Sequence, residues 1–173
     1  MAGLAFRPGV TTGAAWLSVT VILTAAGTLA APAAHADNKR LNDAVVSGVY
    51  TVQHQAGCTN DVAMNNSLYL AAQWHADDML NNRNINDDIG SDGSTPQDRA
   101  NAAGFRGKVA ETIAINPALA MSSLEVFNQW FDNPDYLAIM RDCANTAMGV
   151  WSDNSLNRTV VVALYGQPAP RGR

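Results

Sequence analysis

The chain is short of the residues that most catalytic and nucleic-acid-binding designs draw on: two cysteines, three histidines, and charge on only 15% of its positions. A serine triad needs an activated serine, a histidine base and an acid to hold that base. No G-x-S-x-G elbow occurs, and the absence of H-E-x-x-H excludes a zinc protease of that type. Cys58 and Cys143 lack the paired spacing of structural zinc ligands. With 11 Lys plus Arg against 15 Asp plus Glu the formal net charge is −4, and there is no basic footprint for nucleic acid. There is no internal repeat.

The N-terminal segment sets the expected compartment. Residues 1–36 contain one cation, Arg7, no acid, an apolar run from Ala14 to Ala31, and the small-x-small sequence Ala34-His35-Ala36. This order predicts a secretory signal peptide cleaved after Ala36. A retained signal anchor is the alternative, weakened by Gly27 and by Thr20, Thr24 and Thr28 inside a run that needs about 20 apolar residues to span a bilayer. No second hydrophobic run follows, so no membrane span is expected after cleavage, and the product is expected outside the cell. What remains is one unit more acidic and suits one domain with one core, over 37–168, with a frayed tail at 169–173.

Two cysteines in an exported chain read as a disulfide, with two isolated thiols as the alternative. Closing so long a loop is worth about 4–5 kcal/mol in the chain-entropy model. Along the chain, Leu41, Val45, Val49 and Val52 recur at helical spacing, and Leu68, Ala72, His75 and Met79 form a second stripe behind Asn65 or Asn66 as N-cap. "TPQDRANAAG" supplies Thr95, Pro96 and Asp98 as start signals and Gly104 as a stop for a short helix. "KVAETIAI" is β-leaning. Ser122 and Glu125 form a capping box before Leu124, Phe127, Trp130 and Phe131, which are expected to line one face of a helix ending near Asp132. "TAMGVWSD" and "RTVVVALYG" read as an antiparallel hairpin around "NSLN", and "GQPAPRGR" as a fraying end.

The densest acidic stretch, "DDIGSDGS" at 87–94, fails as an EF-hand: with Asp88 first, position 12 is Arg99, a cation where a bidentate carboxylate belongs. A weak, irregular cation site on Asp87, Asp88 and Asp92 stays open beside ordinary Asp-Gly turn chemistry. His75 shares an inward apolar stripe and reads as a satisfied core histidine rather than a ligand. Glu111, a carboxylate among apolar neighbours in a strand, needs a partner or a shifted pKa, with chance exposure on a sheet face as the alternative.

The order "LYLAAQWHADDM", "IGSDGSTPQDRANAAGFRG", "AETIA", "FNQWFDNPDYLAIM", "TAMGVW" and "VVVALYGQP" resembles the CAP superfamily, the cysteine-rich secretory, antigen 5 and pathogenesis-related 1 proteins, in a compact exported bacterial form. The resemblance runs from Lys39 to Pro168. It implies an α+β fold, a three-layer α-β-α sandwich with an antiparallel sheet around a surface cavity. In members with a complete cavity, two His and two acids point inward and hold a divalent metal. Glu111 in "AETIA" matches one of those acids; Asp88 and Tyr136 stand where the two histidines belong, and His75 belongs to a different family word.

The cavity candidates are therefore Glu111, Asp88, Tyr136 and His75, with no catalytic residue and no cofactor assigned. The leading expectation is a monomeric, non-catalytic binding module meeting an extracellular or envelope ligand, for which the resemblance makes lipid plausible. A metal-assisted hydrolase using Glu111 and Asp88, with Tyr136 as donor, is the enzyme alternative. A structural cell-wall protein is a third, against which the lack of a repeat counts.

Overall fold

The computed structural model describes Gly3 and residues 33–170, with side chains from residue 38 on. The expected signal peptide lies outside the described residues up to position 32; positions 33–36 form the first turn of helix α1, Ala33–Gln55. Leu41, Val45, Val49 and Val52 are buried along one side of α1, as their spacing predicts. After the two-residue strand β1 (Ala63–Met64), α2 (Asn66–Asn81) starts on Asn65, whose side-chain oxygen accepts from the Ser67 and Leu68 N–H groups. Leu68, Ala72, His75 and Met79 are all fully buried.

Thr95 and Asp98 close a reciprocal capping box on α3 (Pro96–Ala102), and Gly104 follows it with φ +92°. The conformation suits glycine because a Cβ there is sterically penalised. Strand β2 is Gly107–Asn116. Ser122 and Glu125 cap α4 (Ser123–Phe131), but the helix is rotated from the expected face. Val126 and Trp130 are fully buried and Phe127 nearly so, while Leu124 and Phe131 are 69% and 46% exposed. Pro134 does not keep the chain extended. It opens α5 (Pro134–Arg141), where its fixed φ and missing N–H fit a first turn capped by Asn133.

β3 (Ala147–Ser155) and β4 (Arg158–Pro168) form the expected hairpin, which is longer than the sequence indicates. Gly166, Gln167 and Pro168, expected to fray, pair with Val109, Lys108 and Gly107. The four-stranded sheet has the order β1-β3-β4-β2. It is mixed rather than wholly antiparallel, since β1 runs parallel to β3.

Strand alternation divides the core in two. Val161, Ala163 and Tyr165 face α1, α4 and α5, whereas Val160, Val162 and Leu164 face α2 and α3. The result is three layers, helix on sheet on helix. Gly149 lets α2 lie against β3: a Cβ there would stand 2.1 Å from the Tyr69 backbone nitrogen. Cys58, just past α1, is bonded to Cys143 after α5, across a separation of 85 residues.

Candidate functional site

Glu111 lies mid-strand in β2, opposite Leu164. It shares the side of Ile113, which packs toward α2 and α3. A carboxylate placed there meets two groups from that layer. Arg99 of α3 sends Nη2 to both carboxylate oxygens at 3.1 Å, and His75 of α2 sets Nδ1 2.8 Å from Oε1. The side chains of His75 and Glu111 are 0% and 1% exposed and that of Arg99 is 6% exposed, so solvent screens the trio very little.

Arg99 also ties down the acidic loop. Nη2 donates to the Asp88 carbonyl at 2.9 Å, and Nη1 donates to the Ser94 carbonyl at 2.7 Å. Nη2 also stands 3.0 Å from His75 Nδ1. A guanidinium nitrogen has only hydrogens to offer, and a bare imidazole lone pair would repel the carboxylate 2.8 Å away, so the Nδ1 proton is donated to Glu111. Nε2 of the same ring is buried without a protein partner.

Glu111, Asp88 and Tyr136 line one cavity of about 490 Å³ along the outer edge of β2, between the 86–97 segment and α5. Burial pushes the Tyr136 phenol above its ordinary value; a backbone contact at Ile113 opposes this, and the carboxylates of Glu111, Asp88 and Asp87 reinforce it. His75 lines a different hollow, of about 430 Å³, on the other side of Arg99. The three candidate cation ligands are divided in the same way, Asp87 and Asp88 lining the first cavity and Asp92 the second. They do not form one site.

Turn chemistry accounts for two of these acids, Asp87 and Asp92. Asp87 accepts from the Ile89 N–H and Asp92 from the Ser94 N–H. Asp78 of α2 takes the Ser91 N–H and hydroxyl, each at 2.7 Å. Burial alone would raise the Asp78 carboxyl, but the bonds from Ser91 and Asn82 outweigh it and hold the group below its ordinary value.

The divalent metal of fuller family cavities does not fit these residues. Both oxygens of Glu111 are engaged by Arg99 and His75, and the positions expected to carry imidazoles hold Asp88 and Tyr136. The positive charge beside Glu111 is the protein's own guanidinium. Sequence reasoning used Arg99 only to dismiss an EF-hand. The signal for its role was Glu111 itself, since a carboxylate among apolar strand residues requires a partner.

A third concavity, of about 670 Å³, lies between α1, α4 and α5 and is lined by Val52, Gln55, Ala56, Phe131, Leu137 and Arg141. Phe131, 46% exposed, forms part of its wall.

The model of the CAP family, described as the cysteine-rich secretory protein family, matches residues 35–165. No curated protein matches the chain. Among solved structures, an outer surface protein from Borrelia burgdorferi superposes with a TM-score of 0.66 at 19% identity, over 77% of this chain and 96% of that one. An extracellular SCP-domain protein from Bacillus anthracis gives 0.62 at 15% identity, over 75% of this chain and 41% of its own. A cysteine-rich secretory protein from Staphylococcus aureus gives 0.55 at 8% identity, over 75% and 39%.

Proposed function

Since this chain belongs to the CAP, or cysteine-rich secretory protein, family, we propose that it is an exported, non-catalytic binding module whose ligand is a small amphiphile, a lipid or similar molecule with an acidic or polar head. The observation that carries this reading is the groove between α1, α4 and α5. Its volume of about 670 Å³ lies within the range of about 300–1,000 Å³ usual for small-ligand sites. Val52, Ala56, Phe131 and Leu137 supply apolar wall, and Gln55 and Arg141 supply polar ends for a head group. The signal-peptide pattern at residues 1–36 supports export, in keeping with the extracellular and outer-surface placement of the structural neighbours.

The hydrolase reading has less to stand on. The Glu111 oxygens already accept from Arg99 and His75, so a metal ion or a proton there competes with a buried guanidinium. Tyr136, with its phenol held above the ordinary value, supplies no base near neutral pH.

A fluorescent fatty-acid analogue titrated into the mature protein tests the proposal. Saturable one-to-one binding is expected, lost in Ala56→Trp, where the indole fills the groove from an exposed position. Absence of saturable binding, together with native mass spectra free of any co-purified lipid, would reject it.

A further inference from the structure

At the opposite edge of the sheet from Glu111 lies a concavity that the foregoing reading does not use. β1 covers only Ala147 and Met148 of β3, and just past it the Asn65 N–H donates to the Met148 carbonyl at 2.8 Å. Beyond it, among the described residues, β3 has no neighbouring strand on that side. α1 and α2 rise on either side, leaving a groove of about 540 Å³. Asn42 of α1, Tyr69 and Asp77 of α2, and Trp151 and Asp153 of β3 line it. The Asn38 amide donates to the Ser152 carbonyl at 3.2 Å, which plugs the strand edge and leaves room for a small group rather than an added strand.

The groove presents acceptors and ring faces together. Asp77 and Asp153 come from different layers yet line the same groove, close enough for their charges to interact. Asn42 is 9% exposed, and its buried side-chain oxygen has no partner. Tyr69 and Trp151 meet edge to face, centroids 5.1 Å apart. Carboxylates and an amide oxygen bind N–H donors, and aromatic faces attract cations. A hard metal ion would need about six to eight oxygens, and among the described residues no group of three or more His, Cys, Asp or Glu is arranged to hold one.

We infer that this groove binds an organic cation, the ammonium or guanidinium group of a free amine or of a lysine or arginine side chain, held by Asp77, Asp153 and the Asn42 oxygen against the Tyr69–Trp151 pair. Burial first, then the charge and hydrogen bond of Asp153, hold the Asp77 carboxyl above its ordinary value, with Trp151 pulling the other way. The remaining charges facing the groove, Lys39 and Asp43 of α1, are joined to each other at 2.6 Å on the rim.

The test follows the Trp151 indole N–H by nitrogen-correlated NMR, with Trp151→Phe supplying the assignment. Butylammonium chloride, butylguanidinium chloride and a blocked glycyl-lysyl-glycine peptide are titrated in separate arms against sodium chloride of equal ionic strength. Saturable movement of the Trp151 signal is expected in at least one arm. A tighter peptide arm identifies a side chain as the source, and a tighter butyl arm a free amine. Affinity is expected to rise with pH as Asp77 ionises, and to fall about tenfold or more in Asp77→Asn/Asp153→Asn, as loss of charge-assisted bonds requires. Asn42→Asp, which adds a charge at the unpartnered oxygen, is expected to tighten binding and so separates a ligand effect from a folding defect. Shifts no larger than those in sodium chloride, in all three arms, would overturn the inference, as would equal binding by the double variant with its fold intact by circular dichroism.

Discussion

Replacing Arg99 with methionine removes the one guanidinium that satisfies both oxygens of Glu111 and keeps an apolar side chain of comparable length in α3. The Glu111 side chain is 1% exposed and that of Arg99 6%, so water cannot take over the lost contacts. Breaking a buried pair from one side costs about 3–5 kcal/mol. The bonds to the Asp88 and Ser94 carbonyls go too, so the loop should loosen. Against a total stability of about 5–15 kcal/mol for a domain of this kind, that is a large fraction. With a urea slope of about 2 kcal/mol per molar, the midpoint should fall by about 2 M. Glu111→Gln in the same background removes the stranded charge, so the double variant should be less unstable than the sum of the singles, with a coupling of about 1–3 kcal/mol. Urea unfolding of the four proteins of the cycle, disulfide intact, measures it. An Arg99→Met loss below about 1 kcal/mol, or strictly additive singles, would refute the reasoning.

Cys58→Ser/Cys143→Ser, which opens the loop closed across 85 residues, should cost about 4–5 kcal/mol; the wild type should take up no alkyl groups until reduced, as read by intact mass. Ser122→Ala should cost about 1 kcal/mol by uncapping α4, read from the shift in urea midpoint. Tyr136 and the fully buried Tyr165 both have phenols held above the ordinary value, chiefly by burial. Their folded forms keep protons that the unfolded chain releases, so the stability they lend is whole below the ordinary value of 10.0 and is lost as pH rises above it. Unfolding midpoints measured across that range should fall, and fall less in Tyr136→Phe.

The helices were legible wherever spacing and caps agreed. Asn65, Thr95 and Ser122 each begin the helix that their sequences announce, because a capping bond is local and needs no knowledge of the rest of the chain. α5 was not legible, since Asn133-Pro134 is equally compatible with a stop and with a start. The face of α4 was misjudged because Leu124 and Phe131 are as apolar as Val126. Only the docking of α4 against α1 and β2 selects between them. β1 is two residues long and is held by its bonds to β3, so it has no period to read. At the site, order and resemblance placed Glu111, Asp88 and Tyr136, but the contact of Arg99 with Glu111 joins α3 to β2 and depends on tertiary packing.

The Glu111 carboxylate, already held by Arg99 and His75, is expected to take no metal ion. Calorimetric titration of zinc into the mature protein at neutral pH, wild type beside Glu111→Gln, tests it most directly. Both proteins are expected to give the same weak, salt-sensitive heats, with no stoichiometric site. A one-to-one site of micromolar affinity or better in the wild type, abolished by Glu111→Gln, would contradict it and put the hydrolase reading first.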